Sequence, residues 1–211
     1  MQSIEAVMTA GPVIPVLVIA RAEDAVPLAR ALMAGGVRTL EITLRTPAAL
    51  EAIRRVAGEV EGALVGAGTV LNAADFRAAA GAGATFVVSP GLTEGVARAS
   101  AESGVPLLPG VATGSEIMTG LELGLTRFKF FPAETSGGAA AVKAFGGPFR
   151  GVEFCPTGGI TTANAAAYLS LSNVLCVGGS WLAPPEAVRD GDWARITDLA
   201  RAASTLGGRG E

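Results

Sequence analysis

Histidine is absent from the 211-residue chain, and cysteine occurs only twice, as Cys155 and Cys176. The first absence excludes imidazole acid–base chemistry, Ser-His-Asp triads and His-ligated zinc. Two cysteines are too few for a disulfide framework or a cysteine-only zinc site. Lysine is almost as scarce. Of the 16 basic residues only Lys129 and Lys143 are lysines, so any chemistry that needs an amine nucleophile has two candidates. The net charge of −3 comes without a basic tract, which argues against nucleic acid and against anionic membranes as partners. Long unbroken apolar runs are missing too. The longest uncharged stretch, Phe154 to Pro185, is interrupted by Gly158-Gly159, Asn164, Asn173, Gly178-Gly179 and Pro184-Pro185. It reads as two buried strands around a helix, not as a membrane span. Met1 to Ala10 carries Glu5 and has no basic segment ahead of an apolar one, so no signal peptide is expected and the chain is read as soluble and cytoplasmic.

What is present is enough for a large core: 50% of the residues are hydrophobic and 17% charged, which excludes intrinsic disorder. Short β-branched or apolar runs alternate with alanine-rich segments. Strands are expected at Val13–Ile19, Val37–Leu44, Ala63–Gly66, Thr85–Val88, Val105–Leu108, Arg127–Phe131, Gly151–Cys155 and Val174–Val177. Helices are expected at Asp24–Ala34, Pro47–Ala57, Ala73–Ala80, Thr93–Ser103, Ser115–Leu123, Gly138–Phe145 and Thr162–Leu169, with a last one from Pro185 towards Ala203. Eight strand–helix units in succession predict an α/β (β/α)8 TIM barrel, near the lower size limit of that fold; an open doubly wound sheet is the alternative. No compositional break divides the chain, so 1–211 is expected to form a single domain. In it, 1–12 would be an N-terminal helix or lead-in and 206–211 a frayed tail.

The second strand carries a polar set, Thr39, Glu41, Thr43 and Arg45, alternating with the apolar Leu40, Ile42 and Leu44. Period two puts the two sets on opposite faces. If helices cover the apolar face, the polar face lines the interior, where a filled barrel would be apolar, and this marks a site. The alternative is a solvated strand face. The sixth strand places Lys129 between Phe128 and Phe130, with Phe131 following. A buried ammonium tends to lose its proton, which is what a Schiff-base nucleophile requires. Two readings of Lys129 stay open here: a nucleophile, or a structural ion pair with Glu41. Phe131 shares the face of Lys129. Lys143 sits in a helical segment, where a solvated surface lysine is the default.

Thr157-Gly158-Gly159-Ile160 follows the seventh strand and Gly178-Gly179-Ser180 the eighth. Paired glycines let backbone amides approach an oxyanion, and helix N-termini that follow would add a favourable dipole. The loops after strands seven and eight are the usual phosphate site of a barrel. Thr162 is the expected N-cap of the helix that follows.

These blocks together resemble a known family. Glu41-Ile42-Thr43-Leu44-Arg45-Thr46, Gly66-Ala67-Gly68-Thr69-Val70, Val88-Ser89-Pro90-Gly91, Leu108-Pro109-Gly110-Val111, Phe128-Lys129-Phe130-Phe131-Pro132-Ala133-Glu134, Pro156-Thr157-Gly158-Gly159-Ile160 and Val177-Gly178-Gly179-Ser180-Trp181 run in the order of 2-keto-3-deoxy-6-phosphogluconate (KDPG) aldolase, the Schiff-base aldolase of the Entner–Doudoroff route. The resemblance spans about residues 13 to 181 and implies a (β/α)8 barrel, a homotrimer, a keto-acid phosphate substrate and no metal or other cofactor. It implies Lys129 as the Schiff-base lysine and Glu41 as the general acid/base. Arg45 and Thr69 would hold the substrate carboxylate, with Pro90 and Phe131 lining the pyruvate pocket. Thr157, Gly158, Gly159, Gly179 and Ser180 would bind phosphate.

One departure stands out: Thr113-Gly114-Ser115-Glu116 has glycine where the family usually has a proline to pre-set the helix start. The reaction implied is cleavage to pyruvate and glyceraldehyde 3-phosphate, with side activity on 4-hydroxy-2-oxoglutarate. Rivals are the galactonate-epimer aldolase, a phosphate-binding barrel isomerase and a non-catalytic sugar-phosphate binder. The Thr43–Arg45 stretch and Ser180-Trp181 favour the gluconate enzyme.

Overall fold

Short strands that alternate with helices return to one sheet from the same side, so they pair in parallel. In the computed structural model, which describes residues 3–207, every paired strand is parallel to its neighbour. The strands are β1 (Val13–Leu17), β2 (Thr39–Thr43), β3 (Leu64–Gly68), β4 (Phe86–Val88), β5 (Leu107–Leu108), β6 (Gly110–Val111), β7 (Arg127–Phe130), β8 (Glu153–Pro156) and β9 (Val177–Gly179). They form a curled α/β arrangement of a six-stranded sheet, ordered β5-β4-β3-β2-β1-β9, and a three-stranded sheet, ordered β6-β7-β8. Isolated parallel bridges, Phe154 to Val174 and Thr157 to Gly178, link the β8 and β9 segments.

All eight expected strand regions are present; the ninth strand has a local cause. Pro109 has no N–H to give a ladder, so the run expected at Val105–Leu108 stops at Leu108 and resumes at Gly110. The Pro109 carbonyl still accepts from the Lys129 N–H at 2.9 Å. The last strand lies later than expected, at Val177–Gly179, so its ladder runs into the glycine pair.

The helices are α1 (Ile4–Met8), α2 (Ala25–Ala34), α3 (Ala49–Glu59), α4 (Ala73–Gly81), α5 (Glu94–Ser103), α6 (Gly114–Glu122), α7 (Gly138–Phe145), α8 (Ala165–Leu169), α9 (Pro185–Asp190) and α10 (Trp193–Ser204). The single helix expected from Pro185 onward is two. Gly191 ends α9 in the left-handed conformation (φ 68°), and the Asp192 side chain caps α10 by accepting from the Arg195 N–H. Of the tail expected to fray, residues 208–211 lie outside the described residues. Among the described residues no helix is long and apolar enough to cross a membrane.

The two faces of the sheet bury different cores. Leu40, Ile42, Phe128, Phe130 and Phe154 pack outward against the helices. Phe154 stands 6.4 Å from both Phe128 and Phe130 and 6.2 Å from Phe145, in tilted and edge-on pairs, centroid to centroid. Such pairs add about 0.5–1.5 kcal/mol each to the burial of the rings. The inner face carries Ile14, Phe86, Val88, Leu108, Cys155 and Cys176, joined by Val7 and Met8 of α1. α1 touches residues that open two strands: the Thr39 hydroxyl donates to the Val7 carbonyl at 3.4 Å, and Glu5 pairs with Arg127 at 2.9 Å.

Without proline, the α6 start is organised by side chains. Thr113 accepts from the Glu116 N–H, and the Glu116 carboxylate accepts from the Ala112 and Thr113 amides at 2.7 and 2.9 Å, a complete capping box. Burial raises the Glu116 carboxyl, but these hydrogen bonds outweigh it and hold the group below the usual carboxylate value. Gly114→Pro should nonetheless stabilise the chain. Thr113 is extended (φ −131°, ψ 157°), as a residue before proline must be, and a Cβ at Gly114 meets the Phe149 ring at an ordinary 3.5 Å. The expected gain in urea unfolding is about 0.5–1 kcal/mol, while Thr113→Ala should lose about 1 kcal/mol. A destabilised Gly114→Pro would show that this start is organised otherwise.

Candidate active site

Strand alternation brings Glu41 and Lys129 to the inner face from β2 and β7. The Lys129 Nζ lies 3.2 Å from the Glu41 Oε1, and both side chains are nearly inaccessible, at 6% and 4% exposure. The polar face of β2 is therefore interior: Thr39, Glu41 and Thr43 are as buried as Leu40 and Ile42. Thr43 secures its edge by donating to the Leu17 carbonyl at 2.8 Å. Room for the carboxylate comes from Gly68 on β3, paired with Thr43. A Cβ at Gly68 would stand 2.7 Å from the Glu41 Cγ, closer than real side chains approach.

The neighbourhood of Lys129 differs from the expectation in one respect. Phe128 and Phe130 lie on the opposite face, packed outward, so of the three surrounding phenylalanines only Phe131 reaches the amine. Its ring centroid lies 5.3 Å from Nζ. The register partner of Lys129 on β8 is Cys155. Hydrogen bonding with Cys155, and then burial, push the Cys176 thiol well above its ordinary pKa, with the Glu41 charge adding to the shift. A protonated thiol is neutral lining beside the pair.

A cavity of about 480 Å³ opens at the C-terminal ends of β1, β8 and β9. Arg45, Phe131, Thr157, Gly158, Gly159, Gly179 and Ser180, all expected site residues, line it together. Phe131 joins this cavity to the Lys129–Glu41 pair. Thr69 is tied to the wall through Arg45, whose Nε donates to the Thr69 hydroxyl at 3.1 Å. Thr69 holds a left-handed backbone (φ 58°), costly for a β-branched residue and found where surrounding structure fixes a side chain's aim. Pro90 does not line the cavity. It follows β4, with its carbonyl against Gly110, the register partner of Lys129. Lys143 is exposed on α7, away from the cavity. The remaining wall is apolar, including Ile160 of the glycine motif and also Val16, Val18 and Val188, which the sequence motifs do not include. The alternation of Val16 in β1 with Val18 just after it was the available signal.

The glycine-rich turn is held differently from the expectation. α8 begins only at Ala165, several residues past Gly158-Gly159, while α9 begins at Pro185, which lines the cavity together with Val188. Thr162 is not the cap either. Asn164 organises the turn, accepting from the Thr161 N–H at 2.8 Å and donating to the Gly159 carbonyl at 3.0 Å. Ala133 and Glu134 donate their amides to the Thr157 and Gly158 carbonyls at 2.8 and 3.1 Å. The carbonyls of the turn are thus tied back, and no acceptor among the described residues takes the Gly158 and Gly159 amides. Unpaired amides on a cavity wall suit an anion. Among the described residues no three His, Cys, Asp or Glu side chains are grouped to hold a metal.

A parallel α/β sheet with a buried lysine–carboxylate pair beside a glycine-walled, anion-fitting cavity defines the class: an α/β scaffold with a buried amine at its centre. The chain belongs to the KDPG and KHG aldolase family, whose model matches residues 4–199. It is 56% identical to the KHG/KDPG aldolase of Escherichia coli over 95% of this chain and 94% of that protein. Among solved structures it is similar to the KDPG aldolase of Legionella pneumophila, captured with pyruvate as a covalent carbinolamine intermediate. The TM-score there is 0.93 and the identity 50%, covering 95% of this chain and 98% of that one. It is also similar to the Zymomonas mobilis ZM4 enzyme with 3-phosphoglycerate, at TM-score 0.91 and 53% identity over 96% and 95% of the chains.

Tyr168 of α8 is fully buried, and its hydroxyl donates to the Glu134 carboxylate. Burial first, then the hydrogen bond and charge of Glu134, raise its phenol above the ordinary value of 10.0. The folded state keeps this proton where the unfolded chain loses it. Its contribution to stability is therefore full below pH 10.0 and disappears as pH climbs from there through the raised value. Tyr168 is the only tyrosine, so tyrosinate absorbance reads this one group. At about pH 11 the native protein should show little tyrosinate and the urea-unfolded chain nearly full signal. A native titration midpoint near 10.0 would contradict the buried hydrogen bond.

Proposed function

We propose that the chain cleaves 2-dehydro-3-deoxy-6-phosphogluconate to pyruvate and glyceraldehyde 3-phosphate through an imine on Lys129. The observation that carries the reading is the buried contact of 3.2 Å between Lys129 Nζ and Glu41 Oε1 beside a cavity walled by Gly158, Gly159 and Ser180. The amine adds to the C2 ketone and water leaves, giving a protonated imine, a far better electron sink than the ketone. Glu41 takes the C4 hydroxyl proton, the C3–C4 pair moves into the enamine, and glyceraldehyde 3-phosphate departs. The protonated Glu41 returns that proton to C3, and water hydrolyses the pyruvate imine to free Lys129. Arg45, its Nε engaged by Thr69, offers its terminal nitrogens to the substrate carboxylate in a fork that lysine could not reproduce. Phe131 bounds the pyruvate pocket, and Pro90 is set back from it against Gly110. Thr157, Gly158, Gly159, Gly179 and Ser180 receive the phosphate.

The two sheets are proposed to close into one (β/α)8 barrel domain, supported by the bridges between the β8 and β9 segments and by the chain's continuity across Pro109 between β5 and β6. A homotrimer is proposed on the family resemblance, with Met118 and Leu121 of α6 as exposed apolar residues available to an interface. A cytoplasmic location and a role in the Entner–Doudoroff route are proposed on the family resemblance, and a phosphorylated substrate is in keeping with both. The gluconate epimer is favoured over the galactonate one by the relatives of high identity, and activity on 4-hydroxy-2-oxoglutarate fits the same imine chemistry.

Incubation with pyruvate followed by borohydride should add the mass of a reduced pyruvate imine to Lys129, located by peptide mapping. Lys129→Ala should lower kcat by about three orders of magnitude or more while circular dichroism stays native. Mass on Lys143 alone, or cleavage at the wild-type rate in the variant, would overturn the assignment.

A further inference from the structure

The glycine turn between β8 and α8 has carbonyls tied back and amides left for a ligand, yet its two left-handed residues, Gly158 (φ 101°) and Gly159 (φ 77°), belong to the residue type with the most conformational freedom. Something must hold it. The Glu134 side chain fills the space over Gly159. A Cβ there would stand 2.6 Å from Glu134 Cγ and 2.8 Å from its Cβ. The same residue donates its own amide to the Gly158 carbonyl at 3.1 Å. Its carboxylate is anchored from the other side by the hydroxyl of the buried Tyr168. Glu134 is exposed and does not line the cavity, so it has no evident contact with the reacting atoms.

We infer that Glu134 is a positioning residue. Clamped by Tyr168, it sets the Gly158-Gly159 turn in the conformation that presents its amides to the substrate phosphate. The inference rests on the aldolase reading above for the identity of the anion, but on the Glu134–Gly159–Tyr168 geometry for the role. A free carboxylate packed against Gly159 would oppose an anion bound at that turn. Held by a neutral phenol whose proton is retained, it acts as a wedge and a hydrogen-bond acceptor.

The experiment compares Glu134→Ala, Glu134→Gln and Tyr168→Phe with the parent protein, using KDPG as substrate and pyruvate with borohydride as an imine probe that carries no phosphate. Glu134→Ala should raise KM for KDPG about tenfold, with pyruvate trapping on Lys129 within about twofold of the parent. Glu134→Gln keeps the wedge and an acceptor for the phenol, so it should recover most of the lost KM. Tyr168→Phe should raise KM in the same direction. If Glu134→Ala does not fold, Glu134→Gln and Tyr168→Phe decide the matter by the same readings. Equal losses in KDPG cleavage and pyruvate trapping, or an unchanged KM in Glu134→Ala and Tyr168→Phe, overturn the positioning role. Absence of trapping in the parent protein would instead overturn the aldolase reading, so the two failures are distinguishable.

Discussion

A lysine and a glutamate share one buried contact, and most of the surrounding structure can be understood as the means of keeping them there. Two charges taken out of water lose several kcal/mol of hydration each, and their mutual attraction offsets this only when geometry is good. Here Lys129 and Glu41 come from strands far apart in sequence and meet at 3.2 Å with almost no exposure. The strand order, the split at Pro109 and the absence of a side chain at Gly68 all serve that meeting. A partner-less charge at this depth would be expensive, about 3–5 kcal/mol by the usual cost of breaking such a pair. The arrangement is one in which an incoming keto acid can replace the ammonium by a covalent bond while the carboxylate stays in reach.

The rest of the site is graded outward from this pair. Phe131 is the hinge between the buried contact and the open cavity, touching both. Arg45 and Thr69 stand at one rim, coupled by a hydrogen bond that the left-handed backbone of Thr69 helps to aim. The glycine turn stands at the other, with its carbonyls tied to Ala133, Glu134 and Asn164. Between them the wall is valine and isoleucine, which exclude water without competing for the polar ends of a substrate.

Much of this was legible in the sequence because it rests on period two. Alternation in Thr39–Arg45 correctly put Glu41 inside, and the position of Lys129 in β7 put it on the matching face. The same rule, applied strictly, also turns Phe128 and Phe130 away from Lys129. Reading their adjacency in sequence as proximity in space was the error. The two glycine pairs were found because composition and position coincide there. What holds them was not, because it depends on contacts across long sequence separations: Glu134 with Tyr168, and Asn164 reaching back over the turn. The helix expected from Thr162 starts only at Ala165, since turn hydrogen bonds compete with helix initiation at asparagine and threonine, whereas the one expected from Pro185 starts there. Nothing in the residue type of Thr69 signals a left-handed backbone; its neighbours Gly66 and Gly68 draw attention to the wrong positions.

The central claim is that Glu41 moves protons to and from the carbon skeleton while Lys129 holds it covalently. The most direct measurement is deuterium exchange at the methyl group of pyruvate in heavy water, which requires enamine formation and reprotonation but no aldehyde. The parent protein should exchange the methyl protons. Glu41→Gln should still yield the borohydride-trapped imine but exchange them about a hundredfold more slowly or less. Exchange in Glu41→Gln at the parent rate would contradict the account.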